Sequence, residues 1–181
     1  MARMDITELL RNEHREAEAA LALFEQTDDE NVRIGLAQTL VQALSVHAGT
    51  EELVLYPVIR RKVIDGADLI DHSLEEHQQV KELLVEVDRA AASGGGNLRL
   101  LVGRLKTAVL QHVEEEEGKV FPRLRESVDR EERRDLGRQM METEVHAPTR
   151  PHPHAPNRPP ANKFADRAAF VLDTARDLIR R

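Results

Sequence analysis

Two stretches of the chain repeat one pattern 65 residues apart: His47-Ala48-Gly49-Thr50-Glu51-Glu52-Leu53-Val54-Leu55-Tyr56-Pro57 and His112-Val113-Glu114-Glu115-Glu116-Glu117-Gly118-Lys119-Val120-Phe121-Pro122. Upstream, Asn12-Glu13-His14 pairs with Glu75-Glu76-His77 at a spacing of 63. Each half therefore offers one histidine from a first helix and His-x-x-x-Glu from a second. Two helical hairpins related by a pseudo-twofold would bring these groups together, which leaves few folds open.

Helical periodicity supports that reading. The first segment runs from Asp5 to Gln26, with Asp5 and Glu8 as a capping box and an inner stripe of Ile6, Leu10, His14, Ala17, Leu21 and Phe24. The second runs from Glu30 to Ile64, with Pro57 expected to kink it and Gly66 to close it. The third covers Ala67 to Ala92 and turns Ile70, Leu74, His77, Val80, Leu84, Val87 and Ala91 inward. After the turn Ser93-Gly94-Gly95-Gly96, with Asn97 as N-cap, the fourth runs from Leu98 to Leu124. Its stripe is Leu98, Leu101, Leu105, Val109, His112 and Glu116. The expected fold is all-α, an antiparallel up-down-up-down four-helix bundle over residues 1–126. Residues 127–181 form an extension: a charged surface helix, a proline-rich strap from Ala147 to Ala161, and a C-terminal helix folding back on a stripe of Phe164, Ala168, Val171, Ala175 and Leu178.

Composition removes most other chemistries. There is no cysteine, so thiolate metal sites and cysteine nucleophiles are excluded. Lys plus Arg is 26 against 33 Asp plus Glu, a net charge of −7 that argues against a nucleic-acid or anionic-membrane partner. The charged start and the lack of a long apolar run point to a cytoplasmic chain. No Ser/His/Asp set or Gly-rich phosphate loop stands out.

One buried histidine is ordinary. Four at matching depth, two with a glutamate one turn on, are costly to bury unless a cation compensates them. Six imidazole and carboxylate ligands (His14, His47, Glu51, His77, His112 and Glu116) exceed a tetrahedral zinc site and suit two octahedral ions with both carboxylates bridging. Octahedral nitrogen-and-oxygen sites of this kind suit iron or manganese, with positions left for a bridging oxo or hydroxo group. The Glu-x-x-His pattern of ferritin-like sites is absent.

The order His14, His47-x-x-x-Glu51, His77, His112-x-x-x-Glu116 resembles the hemerythrin-like (HHE cation-binding) family over about residues 5–125. The resemblance implies a non-haem diiron centre that handles oxygen, peroxide or nitric oxide. Oxygen-carrying members have a fifth histidine four residues before the third-helix ligand, where this chain has Ser73. Fewer histidines leave more exchangeable positions, favouring catalase-like peroxide turnover over oxygen storage; an iron or oxygen sensor without turnover is the alternative. Carriers also take the fourth-helix carboxylate at i+5, here Glu117, whereas the repeat selects Glu116.

His72, Tyr56 and Glu117 are the further candidates for ligand or supporting roles. His72 points away from the His77 stripe on a regular helix. Tyr56 falls opposite His47, which reads as packing. Glu13 and Glu76 lie off the stripe and read as solvated, and Glu52 as facing a helix edge or solvent. His146, His152 and His154 read as surface loop. A homo-oligomer is left open.

Overall fold

The computed structural model describes residues 4–157 and 161–179, all-helical with no strand among them. Helix α1 (Ile6–Gln26) begins at Asp5, whose carboxylate accepts from the Thr7 N–H at 3.0 Å. The other Asp5 oxygen accepts from Arg133 Nε at 2.7 Å, so the cap is shared with a distant helix rather than closed into a box by Glu8. Asp29 caps α2 (Glu30–Thr50) in the same way.

A π-helical turn, Glu51–Leu55, follows α2, and α3 (Tyr56–Lys62) completes that arm. The second half repeats this: α5 (Leu98–Glu115), a π-helical turn Glu116–Val120, and α6 (Phe121–Ser127). Proline supplies the reason. Pro57 and Pro122 lack an N–H and crowd the carbonyl four residues back. The chain widens ahead of each: the Tyr56 N–H reaches the Glu51 carbonyl and the Phe121 N–H reaches that of Glu116, five residues back instead of four. The expected kink at Pro57 is thus a π turn, and each turn opens on one of the repeated glutamates.

Helix α4 (Gly66–Ala92) joins α3 through Asp65, which is in the left-handed conformation at φ 57°. Gly66 opens this helix rather than closing the previous one, and a Cβ there would run into the Ile59 carbonyl. Asn97 stands at the start of α5, but its side chain makes no capping bond.

The apolar core divides in two. One cluster gathers Leu21, Phe24, Leu40, Leu84, Val87 and Leu105. The other gathers Ile6, Leu10, Tyr56, Ile59, Phe121 and Leu124, with Leu136 and Met140 from α7 (Arg130–Glu144). Helix α7 is therefore more than a surface element: it packs on α1, and Gly137 lets the backbones approach at the Met4 carbonyl.

The proline-rich residues from Ala147 to Asn157 carry no helix. They hold Arg150 against Asp88 at 2.5 Å, and the Arg150 N–H donates to Asp173 of α8 (Ala161–Ile179) at 2.9 Å. On α8, Asn162, Ala169 and Asp173 are buried. Ala168 and Val171 of the expected stripe are exposed. Asp173 and the Asn162 amide, which donates to the Glu52 carbonyl at 3.3 Å, fasten the helix at these positions. Pro159 and Pro160, and the side chains of Phe164, Ala175 and Leu178, lie outside the described residues.

Candidate metal centre

The polar layer lies between the two apolar clusters. His14 follows Leu10 of one cluster and precedes Ala17 of the other; His77 stands likewise between Leu74 and Val80. His47 and His112 stand between Leu44 and Leu55 and between Val109 and Val120. All six expected residues meet here. His14, His47, Glu51 and Glu116 offer ligand atoms within 4.8 Å of one another, and so do Glu51, His77 and His112.

Within this layer the two glutamates span both halves. Glu51 Oε2 is 3.3 Å from His47 Nε2 and 3.3 Å from His77 Nε2. Glu116 Oε2 is 3.6 Å from His14 Nε2 and 3.8 Å from His112 Nε2. Both carboxylates are fully buried, and all four of their oxygens lack a protein hydrogen-bond partner, as does His14 Nε2. Orphaned buried acceptors of this kind are costly. Burial and the facing Glu116 push the Glu51 carboxyl well above its ordinary range. Burial also pushes Glu116 upward, but His112, His14 and His47 outweigh it and hold that group low.

The other ring nitrogen of every histidine faces a carboxylate. His14 Nδ1 meets Glu117 at 2.9 Å, His47 Nδ1 meets Glu13 at 2.7 Å, His77 Nδ1 meets Glu52 at 2.9 Å, and His112 Nδ1 meets Glu76 at 3.1 Å. A carboxylate can only accept, so each ring donates from Nδ1 and presents the Nε2 lone pair to the centre. His77 Nε2 and His112 Nε2 are 3.2 Å apart with both lone pairs inward, an arrangement that a cation relieves. Burial lowers His14 to about 4 and pushes His77 well below the usual range, so proton binding does not compete for those nitrogens at neutral pH. Burial works the same way on His112, but the Glu76 carboxylate raises it overall.

Three expectations, for Glu13, Glu76 and Tyr56, are corrected by this geometry. Glu13 and Glu76 are not solvated: they flank His47 and His112. Of the two placements expected for Glu52, a helix edge or solvent, the structure has the first: it is buried against α4, where Lys81 Nζ donates to both its oxygens at 2.7 and 2.8 Å. The π turn rotates Tyr56 out of ideal α-helical register, so its buried hydroxyl lies 3.0 Å from His77 Nε2. The matching Phe121 has no hydroxyl and stacks on His14 at 5.9 Å between ring centroids. Glu117 stands outside the ligand cluster, held by Arg11 and Arg15. His72 is half-exposed, 3.7 Å from Glu76, and also outside it.

The flanking carboxylates follow the repeat. In each half the residue before the first histidine supports the second histidine, as Glu13 does for His47 and Glu76 for His112. The residue after each central glutamate supports the first histidine of the other half, as Glu52 does for His77 and Glu117 for His14. Loss of such support typically weakens metal affinity about 10- to 100-fold. Glu76→Ala and Glu117→Ala should each show that loss in competition titrations with a chelator, while still binding metal at saturation.

The family description "Hemerythrin HHE cation binding domain" matches residues 5–124, and the chain belongs to that family. It is 26% identical over 177 residues to an uncharacterized hemerythrin-like protein of Schizosaccharomyces pombe, covering 97% of this chain and 87% of that one. It is also 25% identical over 129 residues to a protein named DNA nickase from Nostoc sp., covering 71% of this chain but 36% of that protein. No solved structure matches. No described helix is long and apolar enough to cross a membrane.

Proposed function

We propose that the chain is a non-haem diiron protein in which His14, His47, Glu51, His77, His112 and Glu116 would hold the two ions. The observation that carries this is the pair of fully buried glutamates with four unpartnered oxygens, each facing one imidazole Nε2 from either half. An all-nitrogen-and-oxygen set without thiolate suits iron, with manganese or zinc as substitutes. We read the scaffold as an up-down-up-down bundle over residues 1–126. In support, α1 and α4 run from the Tyr56 cluster toward the Phe24 cluster, and α2 and α5 run back. Residues 127–181 are read as an extension whose proline-rich strap fastens α8.

A pair of iron ions there supplies redox and Lewis-acid chemistry toward oxygen, peroxide or nitric oxide. The chain's own residues set its terms. The Nδ1–carboxylate pairs fix the imidazole tautomers, and the apolar cluster around Tyr56 and Phe121 closes one end of the layer. The Tyr56 hydroxyl is placed to hydrogen-bond a small molecule held on the His77/His112 side; burial, then Glu116 and Glu51, keep it protonated. With Ser73 in place of a fifth histidine, exchangeable positions favour peroxide turnover over storage. Protein from iron-replete cells should carry iron with near-ultraviolet charge-transfer bands and evolve oxygen from hydrogen peroxide. Iron with those bands but no turnover would select a sensor, and a cytoplasmic one on the sequence evidence.

A further inference from the structure

A cavity of about 490 Å³ opens between α1 and α2 and reaches down to His14, His47, His77 and His112. One water takes about 30 Å³ in the liquid, so this space is far larger than a diatomic gas or hydrogen peroxide requires. It lies in the range of pockets that enclose organic ligands. Its walls are mostly alkyl: Ala17 and Ala20 from α1, Leu40 and Leu44 from α2, and Val80 and Val109 from the far side. Alanines on the facing sides of α1 and α2 leave the gap that larger side chains would close. The mouth is acidic, with Glu13 and Glu16 on α1 and Glu144 at the end of α7.

We propose that this cavity binds a neutral organic molecule with an aliphatic body and a single oxygen-bearing head, the head seated among the imidazoles and the body along the alanine-lined gap. The inference deepens the diiron reading and rests on it for what the head meets, but the body's site is built from the chain alone. Alkyl walls exclude strongly hydrated molecules, and the carboxylates at the mouth oppose anions of the same length. The hydroxyl of a straight-chain alcohol is a redox-inert stand-in for the head.

The full-length protein, metal-free and zinc-loaded, would be titrated calorimetrically with 1-pentanol through 1-octanol, with methyl NMR to locate the site. One molecule should bind per chain, shifting Leu40, Leu44 and Val80 methyls. Affinity should rise about three- to fourfold per added methylene. Octanoate should bind at least about tenfold more weakly than 1-octanol at neutral pH. Ala20→Phe should fill the gap and cut alcohol affinity at least about tenfold while zinc content is retained. Ala43→Phe, at an exposed rim position that tolerates bulk, serves as the second variant. Binding of xenon without saturable alcohol binding would overturn the proposal and leave a gas path. So would an affinity indifferent to chain length, or one unmoved by both phenylalanines. Alcohol binding by a chain that takes up no metal would instead sink the diiron reading while upholding the cavity's ligand class.

Discussion

Glu51→Ala should release at least one of the two ions and weaken retention of the other by more than about 100-fold, beyond what a supporting carboxylate costs. Glu51 Oε2 lies equally near His47 and His77, so its loss opens both positions at once. Glu116→Ala should do the same from the other side, between His14 and His112. Both variants should abolish any peroxide turnover. Misfolding is a distinguishable cause, because an unpartnered buried carboxylate destabilises the metal-free chain. Metal-free Glu51→Ala should therefore melt no lower than metal-free wild type, while the metal-loaded comparison goes strongly the other way. Metal counts on Glu116→Ala and Glu117→Ala decide between the repeat and the carrier-like spacing. Iron lost from Glu117→Ala and kept by Glu116→Ala would overturn the assignment, against the geometry that sets Glu117 on His14 Nδ1.

Removing the metal should lower the melting temperature by roughly 8–16 °C for each ion lost at ordinary loading. An ion present at a thousand times its dissociation constant contributes about 4 kcal/mol to the folded state. A chain of this size shifts about 2–4 °C per kcal/mol. The proposed histidine ligands come from α1, α2, α4 and α5, so the lost binding energy would be shared by all four. Hydrogen exchange should quicken around His14 and His112, and readdition of iron should restore both the melting temperature and the protection. An unchanged melting curve after verified demetallation would show that the four helices hold together without help from the centre.

Much of the layer is legible in the sequence because its residues sit on apolar stripes with a helical period. His14 between Leu10 and Ala17, and His77 between Leu74 and Val80, can only point inward if their neighbours do. The flanking carboxylates escape that logic. A stripe describes one face of one helix, whereas Glu13 and Glu76 leave the face by one residue and meet the next helix at its flank. The signal was present as Glu-His and Glu-Glu pairs at matching positions in both halves, and the repeat was the better guide. Tyr56 was hidden for another reason. Its direction depends on the π turn, and counting at the α-helical period from His47 sends the hydroxyl the wrong way. The burial of Asn162 and Asp173 on α8 is illegible because hydrophobic periodicity gives polar anchors no weight.

The central claim is that one chain holds two ions side by side, and native mass spectrometry of iron-loaded protein, paired with elemental analysis, tests it most directly. Two iron ions per chain are expected, with species carrying fewer than two enriched in Glu51→Ala and Glu116→Ala. A ceiling of one ion per chain at saturating iron, with either variant still holding it, would contradict the bridged pair.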